Sequence, residues 1–203
     1  MTIRTLPVGE LAANCYVIAD DNGTAVVIDP GADAAVIRRV LDEEHVRDGA
    51  ILLTHAHFDH IGAVKALSEA GFPVYCHTRD IPALQDGRLN LSAWFGTPLA
   101  PIHDAIAVEE GDELTFGGLT VSVLHTPGHT VGCVCYRIGD ALFSGDTLFF
   151  ESIGRTDFPG GDLSVMRRSL SRLTSLEDSL TVYPGHGEAT TVAHERLHNP
   201  YIR

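Results

Sequence analysis

The sequence predicts an α/β fold in which two groups of β-strands are interspersed with helices, and three observations lead to this prediction. Runs of β-branched and aromatic residues occur near the amino terminus and again from Leu114 onward. Between and after these groups, apolar residues recur at helical spacing. Turns rich in Gly, Pro and Asp separate the elements, and strands mixed with helices in this way are typical of α/β proteins.

The length and the even composition of the chain predict a single domain over residues 1–203. A chain of 203 residues with 44% hydrophobic residues can bury one large core, and it needs no disulfide framework for stability. No Ser- or Pro-rich linker and no obvious repeat divides it. The four cysteines lie in apolar, strand-like runs, so we expect buried thiols rather than disulfides.

The first half of the chain predicts a β-hairpin followed by alternating helices and strands. Asp20-Asp21-Asn22-Gly23 separates two β-rich runs and indicates the hairpin turn. Asp33 is the expected N-cap of the first helix, and Gly71 ends the second. Residues 78–110 lack clear periodicity, which indicates a helical turn plus a long loop. The predicted strands are residues 14–19, 24–28, 50–54 and 74–76, and the predicted helices are residues 34–45 and 61–70.

The second half is predicted to be rich in β-structure and to end in helices. Turns at Gly117-Gly118 and Gly139-Asp140 separate runs of β-forming residues. Helical periodicity then returns twice, on either side of one further short strand. The predicted strands are residues 119–125, 133–138, 141–144 and 180–183, and the predicted helices are residues 162–174 and 189–197.

Charge and hydropathy narrow the possible functions. Fourteen Lys and Arg against 27 Asp and Glu give a net charge of −13, which repels nucleic acid phosphates, so we expect no nucleic acid partner. No apolar stretch approaches the length of a membrane span, and residues 1–7 do not resemble a signal peptide. We therefore expect a cytoplasmic protein without a membrane partner. The oligomeric state is not predicted.

Histidines and aspartates gather in loops that follow predicted strands. His55, His57, Asp59 and His60 lie within six residues, directly after the strand at residues 50–54. Imidazole nitrogens and carboxylate oxygens are ligands of zinc, iron and manganese. Strand ends of an α/β sheet open towards a crevice, where such side chains meet a ligand. Three further loops after β-rich runs carry the same kinds of side chain: His129, Asp146 and His186.

This order of motifs resembles the metallo-β-lactamase superfamily over nearly the whole chain. The resemblance implies a four-layer αββα sandwich with two divalent metal ions at one edge between the sheets. It implies that His55, His57 and His129 bind the first metal. It implies that Asp59, His60 and His186 bind the second and that Asp146 bridges the two. We expect zinc first, with iron or manganese as alternatives.

Within the superfamily, the bridging Asp146 resembles glyoxalase II-type hydrolases rather than β-lactamases, so lactamase activity is not expected. The segment at residues 154–162 and the ending at residues 195–200 resemble short, single-domain glyoxalase II-type proteins. Two ions that share Asp146 and a solvent oxygen lower the pKa of that oxygen and supply hydroxide near neutral pH. Asp59, beside the hydroxide, is a candidate for orienting it. The expected reaction is hydrolysis of a small thioester such as the glutathione conjugate S-lactoylglutathione.

Two other functions compete with thioester hydrolysis. Residues 154–158 also resemble iron-dependent glutathione persulfide dioxygenases, although the turn around His186 is more similar to the hydrolases. A binding module that has lost its enzymatic activity is disfavoured because every ligand position is filled. Longer glyoxalase II enzymes hold glutathione with basic groups of a helical region after the last metal histidine. Only seventeen residues follow His186, so we expect glutathione to be bound differently or more weakly.

A few further residues have weaker functional signals. Arg155 either binds a substrate carboxylate or organises its own loop through a nearby acid. His77 and His125 are either partners of metal ligands or ordinary histidines of the core or rim. Trp94 and Phe95 lie in the long loop, where they either cover an active-site cleft or pack onto the core.

Overall fold

The strands divide between two six-stranded β-sheets, and the first sheet contains the amino-terminal half of the chain. The computed structural model describes residues 1–202. The strands of the first sheet follow chain order, antiparallel from β1 to β3 and parallel from β3 to β6. They are β1 (Thr2–Val8), β2 (Ala13–Ala19), β3 (Thr24–Ile28), β4 (Asp48–Leu52), β5 (Val74–His77) and β6 (Ala105–Val108).

The second sheet has the order β14-β13-β10-β9-β8-β7, and only β10 and β13 pair in parallel. Its strands are β7 (Glu113–Phe116), β8 (Leu119–His125), β9 (Val134–Ile138), β10 (Ala141–Gly145), β13 (Thr181–Pro184) and β14 (Thr190–Thr191). A separate ribbon pairs β11 (Leu148–Phe149) with β12 (Ser152–Ile153). The helices are α1 (Ala34–Glu43), α2 (Phe58–Ile61), α3 (Val64–Ser68), α4 (Leu163–Leu173) and α5 (Val192–His198), with a 3₁₀ turn at Ile81–Leu84.

Three buried clusters hold four layers together. The central cluster joins the two sheets face to face and contains Tyr16 and Ile28 of the first sheet and Tyr136 and Phe143 of the second. A second cluster packs α1 and α3 onto the first sheet, and a third packs α4 and α5 onto the second. The predicted αββα sandwich is therefore confirmed.

Several strands lie where none was predicted, and β1 and β6 are two of them. In β1 only Val8 is buried, so the apolar pattern that marks a strand is absent, and its seven-residue pairing with β2 defines it instead. The strand β6 falls within the segment predicted as a helical turn and a long loop, and it pairs with β5 at the sheet edge. In both cases tertiary pairing overrides a weak local pattern.

Helix boundaries also differ from the prediction at three places. The helix predicted for residues 61–70 is two short helices, α2 and α3, and it begins earlier, at Phe58. Asp33 occupies the N-cap position of α1, but its φ is 54° and its side chain makes no cap hydrogen bond. Its carboxylate accepts instead from the backbone N–H of Gly9. Residues 190 and 191 form β14, so the last helix starts at Val192.

Two further findings concern the cysteines and the helices. All four cysteines are buried and free. No helix within residues 1–202 is long and apolar enough to cross a membrane.

Candidate metal centre

The seven predicted ligands meet at one edge of the sandwich because the strands that carry them end there. β3 and β4 run parallel in the first sheet, and β10 and β13 run parallel in the second. β8 has the same direction as β10, since each is antiparallel to β9. Each strand thus delivers the loop after it to the same edge. The ligand positions are His55, His57, Asp59 and His60 after β4, His129 after β8, Asp146 after β10 and His186 after β13.

The side chains form two groups with Asp146 between them. The ligand atoms of His55, His57 and His129 lie within 4.8 Å of one another, and so do those of Asp59, His60 and His186. Asp146 Oδ2 lies 3.4 Å from His129 Nε2 in the first group. Asp146 Oδ1 lies 3.5 Å from His60 Nε2 in the second group. One carboxylate therefore contacts both groups, which is the geometry of a bridging ligand.

Four buried atoms at this site have no hydrogen-bond partner in the structure. They are the Nε2 atoms of His55, His57 and His60 and Oδ1 of Asp146. A buried polar atom without a partner is unfavourable, and such atoms are rare in folded proteins. Three of them belong to the segment after β4, and Asp146 Oδ1, from the loop after β10, lies 3.5 Å from His60 Nε2. A cation would satisfy buried lone pairs that the protein leaves unpaired, so the donor set fits a metal centre.

The separations between donor atoms also fit metal coordination. Two ligands at zinc bond lengths on a tetrahedral ion lie roughly 3.3 Å apart. His186 Nε2 lies 3.3 Å from Asp59 Oδ2, and His60 Nε2 lies 3.7 Å from the same oxygen. His57 Nδ1 and His129 Nε2 are closer, at 2.8 Å. A metal bound there would push these two rings slightly apart.

The protonation of the first group favours metal binding. Burial lowers the pKa of His55 well below its usual value, and the neighbouring histidines lower it further. Burial, with His129 and His60 nearby, lowers the pKa of His57 to about 3. Both imidazoles are therefore neutral at pH 7, which is the form that binds metal.

The second group is more strongly charged. Burial alone would lower the pKa of His60, but Asp59, Asp146 and Asp29 raise it to about 10. Burial alone would raise the pKa of Asp59, yet His60 and His186 hold it well below its usual value. Asp59 therefore stays ionised beside His60, and it offers negative charge to a bound cation.

Asp29 holds His60 in place, and the sequence analysis did not single it out. This buried residue follows β3, and its Oδ2 lies 3.0 Å from His60 Nδ1. The other carboxylate oxygen, Oδ1, accepts a hydrogen bond from the backbone N–H of Thr54, one residue before the ligand loop. Asp29 therefore fixes the ring of His60 and the start of the loop at once.

Asp80 links the loops of the first group, and it was also missed. Its buried carboxylate accepts hydrogen bonds from the backbone N–H of Ala56 in one loop and from Thr130 Oγ1 and the Gly132 N–H in another. Burial raises the pKa of Asp80, and these hydrogen bonds partly offset that effect. Ala56 lies between two of the ligands and Thr130 follows the third, so Asp80 sets the spacing of the loops.

Arg155 organises its own loop in the structure. Its guanidinium makes two hydrogen bonds of 2.7 Å to Asp157 and lies 3.9 Å from the centre of the Phe158 ring. The arginine side chain holds the pKa of Asp157 at about 2. The backbone oxygen of Arg155 lies 2.7 Å from His129 Nδ1 and accepts a hydrogen bond from it, so this loop orients a ligand.

His77 and His125 do not join the metal groups among the described residues. Their rings stack on each other at 4.2 Å, and His77 Nε2 lies 3.3 Å from Glu109. The interpretation of these two histidines as partners of metal ligands is therefore wrong. They form a stacked pair between the end of β5 in the first sheet and the end of β8 in the second.

A cavity of about 510 Å³ opens over the ligands. This volume is within the range of small-molecule sites. Gly185 borders the centre because a Cβ there would lie 2.1 Å from Asp146 Oδ1. The glycine therefore leaves the space that the bridging carboxylate occupies. The cavity is lined by Leu11, His57, Phe58, Asp59, Leu91, Phe95, His129, Asp146, Phe149, Gly154, Arg155, Phe158 and His186.

Comparison with known proteins assigns the chain to a known family. The profile of the metallo-beta-lactamase superfamily matches residues 8–186. An uncharacterised protein of Mycobacterium tuberculosis (strain ATCC 25618 / H37Rv) is 40% identical over 222 residues, which cover 100% of this chain and 98% of the relative. Hydroxyacylglutathione hydrolase GloC of Haemophilus influenzae is 34% identical over 208 residues, with 100% and 98% covered.

Three solved structures resemble the whole chain. The BLEG-1 B3 metallo-beta-lactamase superposes with a TM-score of 0.94 at 42% identity, covering 99% of both chains. A di-iron-bound form of TTHA1623 gives a TM-score of 0.88 at 39% identity, covering 98% of this chain and 99% of the other. ETHE1 from Myxococcus xanthus gives 0.82 at 33% identity, covering 98% and 84%.

Proposed function

Because the chain belongs to the metallo-beta-lactamase superfamily, we propose that it is a two-metal hydrolase that cleaves a small thioester with an activated water. The observation that carries this proposal is the position of Asp146, whose two oxygens face the two groups of donor atoms. A carboxylate in that position suits two ions that share one water molecule.

We assign His55, His57 and His129 to the first ion, Asp59, His60 and His186 to the second, and Asp146 to both. When bound, the ions would lower the pKa of water towards neutrality and polarise the carbonyl oxygen of the substrate. The ligand set accepts zinc, iron or manganese, and zinc is our first choice.

The protein side chains then position the reacting groups. Asp59 Oδ2 lies 3.3 Å from His186 Nε2 at the cavity wall, so we assign it the role of orienting the attacking water. Water adds to the carbonyl carbon, the C–S bond breaks, and the thiol leaves as a thiolate. Since a thiolate is a good leaving group, no dedicated general acid is needed.

The protein's own thiols are poor candidates for the nucleophile. All four cysteines are buried, and burial raises the pKa of each well above its usual value. A neutral buried thiol is unreactive, which leaves water as the nucleophile. We assign Arg155 as a substrate contact, because it lines the cavity although its guanidinium pairs with Asp157.

The relatives support more than one finer function. The similarity to a hydroxyacylglutathione hydrolase favours S-lactoylglutathione as the first thioester to test. The similarity to ETHE1 and to a di-iron protein keeps iron-dependent persulfide oxidation as the second candidate. The similarity to a B3 metallo-beta-lactamase requires a β-lactam in the same panel, although the bridging Asp146 led us to expect no such activity.

One set of assays separates these functions. The purified protein is loaded in turn with zinc, iron or manganese, and bound metal is counted per chain by atomic spectroscopy. Thioester cleavage, oxygen uptake with glutathione persulfide and opening of a chromogenic β-lactam are then followed side by side. We expect two ions per chain and thioester cleavage. Oxygen uptake with one iron and no thioester cleavage would overturn the proposal.

Substitutions connect the activity to the site. We expect His129→Ala and Asp146→Ala to abolish thioester cleavage and to lower the metal content. His103→Ala is the matched control, because this histidine is exposed and lies outside both donor groups. Full activity of Asp146→Ala would show that the site assignment is wrong.

A further inference from the structure

The walls above the metal centre are apolar. Phe58, Phe149 and Phe158 are half-buried around the cavity, and Leu11 and Phe95 reach solvent with 48% and 52% of their surfaces exposed. Trp94, beside them, is 59% exposed. Large apolar side chains that cluster at the mouth of a cavity, rather than scatter singly, mark a binding surface.

Aromatic contacts extend this apolar wall outward from the ligands. The rings of Phe149 and His186 are 6.1 Å apart, and those of Phe158 and His57 are 6.0 Å apart. Phe95 stacks on Phe58 at 4.8 Å. The aromatic wall therefore begins directly beside the proposed metal ligands.

A groove of about 490 Å³ continues from the cavity and shares part of its wall. The shared residues are Leu11, Phe58, Asp59 and Phe95. Val8 and Leu99 line the groove further out. A chain bound over the metal centre can thus extend along an apolar path.

The charges along this path oppose an anionic substrate. Apart from the site histidines, Arg155 is the one cationic side chain among the described residues that line the cavity, and Asp157 already pairs with it. The described residues that line the groove include no Lys, Arg or His, whereas Glu10 and Asp33 add negative charge. Away from the proposed metal ions, free carboxylates such as those of glutathione would meet repulsion and no unpaired cationic side chain among the described residues along this path.

We propose that the natural substrate is a thioester with an uncharged, apolar acyl chain and a neutral thiol part, rather than a glutathione conjugate. The acyl chain lies along the apolar groove while its carbonyl faces the metal centre. This inference rests on the proposed thioester hydrolysis and specifies the substrate class. The apolar wall contacts each added methylene of the acyl chain, and the acidic side chains of Glu10 and Asp33 repel anionic substrates.

Four thioesters test this proposal with two acyl groups and two thiols. Hexanoyl and lactoyl groups are each joined to N-acetylcysteamine, which is neutral, and to glutathione, which is anionic. We expect S-hexanoyl-N-acetylcysteamine to have the highest kcat/KM. Along the series from acetyl to hexanoyl, each methylene buried in the groove should raise kcat/KM by about fourfold. The difference in kcat/KM between the N-acetylcysteamine and the glutathione thioesters should shrink with added salt, because salt screens the repulsion.

Substitutions test whether the groove is responsible. Leu11→Ser and Phe95→Ser should lower the ratio of hexanoyl to acetyl kcat/KM, because they remove apolar surface along the path. Leu163→Ser is the matched control, since Leu163 is exposed to a similar extent, 41%, and lies outside the cavity and the groove. Glu10→Lys should raise kcat/KM for the glutathione thioesters, because Glu10 is next to Leu11, which lines both the groove and the cavity, and its charge acts on both.

The outcomes separate this inference from the proposed function. If S-lactoylglutathione is the best of the four substrates and the substitutions leave the ratio unchanged, the inference is wrong while thioester hydrolysis stands. If no thioester is cleaved by the metal-loaded protein, the proposed function fails and the inference with it.

Discussion

His60 Nδ1 lies 3.0 Å from Asp29 Oδ2, and both side chains are buried. A carboxylate can only accept, so His60 Nδ1 carries the hydrogen and its Nε2 is left to face Asp146 and Asp59. Asp29 thus sets the tautomer of a ligand through Nδ1, the ring nitrogen opposite the one that faces Asp146 and Asp59.

Asp29→Asn should weaken metal binding while every ligand is retained. If the amide oxygen of the new side chain still accepts the hydrogen bond from the Thr54 N–H, its NH₂ group faces His60 Nδ1. The imidazole must then accept at Nδ1 and carry its hydrogen on Nε2, where the ligand lone pair is needed. We expect metal affinity to fall by about 10- to 100-fold, as for other partners of metal ligands. Competition with a chromogenic chelator measures it.

Asp20→Asn is the control for this prediction. Asp20 also accepts several backbone hydrogen bonds, from Asn22, Thr24 and Gly118, but it lies at the hairpin between β2 and β3, away from the donor groups. It should change stability without changing metal affinity. Equal loss of affinity in both variants would show that Asp29 acts through general stability alone.

The ligands were predictable from the sequence, whereas the residues that position them were not. His55 and His57 belong to a dense cluster of residues whose chemistry suits metals, and that signal is local. Asp29 is one aspartate before Pro30-Gly31, a pattern shared by ordinary turns. Asp80 lies in a segment without periodicity, and its partners are on distant loops. Only the folded chain brings such pairs together.

The fold was predictable to the same degree and for the same reason. Strands with a buried face, such as β2 and β3, are marked by continuous apolar runs and were predicted within a residue. β1 is exposed along most of its length, so its sequence lacks that pattern. The short β14 exists because it pairs with β13, which no local pattern encodes.

Asp80→Asn should loosen the first group of ligands. The amide must present its NH₂ where a carboxylate oxygen now accepts a backbone N–H, from either Gly132 or Ala56. One buried donor is then left without an acceptor, and this should lower the free energy of unfolding by about 1 to 3 kcal/mol. Chemical denaturation measures the loss, and metal titration should show weaker binding at the first group.

Thr130→Val is the comparison for Asp80→Asn, because it removes one of the three hydrogen bonds to the carboxylate and leaves the charge. It should have the smaller effect on both measurements. If Asp80→Asn is as stable as the unmodified protein and binds metal equally well, Asp80 does not set the spacing of these loops.

The ion pair between Glu110 and Arg172 should make stability depend on pH in the acidic range. The carboxylate accepts hydrogen bonds from Arg172 and from the backbone N–H of His125. The Arg172 contact, aided by His125, lowers the pKa of Glu110 in the folded state. The folded state therefore prefers the ionised form, so this stabilisation is present above about pH 4.5 and is lost on acidification.

Glu110→Gln tests that dependence. Since the pair is partly exposed, we expect the variant to be less stable by under about 1 kcal/mol near neutral pH. The difference should shrink as the pH falls below about 4.5 and vanish once Glu110 is protonated in the folded state as well. Melting temperatures across this range measure it, with Glu113→Gln on the edge strand β7 as the charge control. A difference that stays constant with pH would contradict the ion-pair origin.

Gly185→Ala should disrupt the metal centre although it removes no ligand. Gly185 has no positive φ, so alanine brings no backbone strain, but its Cβ would lie 2.1 Å from Asp146 Oδ1 and 2.9 Å from His60 Cε1. The bridging carboxylate must then move from its position between the two groups. Gly118→Ala is the control, because its Cβ would meet no atom closer than 3.3 Å.

We expect Gly185→Ala to keep its secondary structure by circular dichroism while it binds fewer ions and loses hydrolytic activity. The reason is geometric, since a bridging ligand must reach two ions at once and a displaced carboxylate reaches at most one. Metal counting is therefore the decisive measurement. If the variant still binds two ions and cleaves thioesters at the normal rate, Asp146 has room to move, and its present position does not determine the bridge.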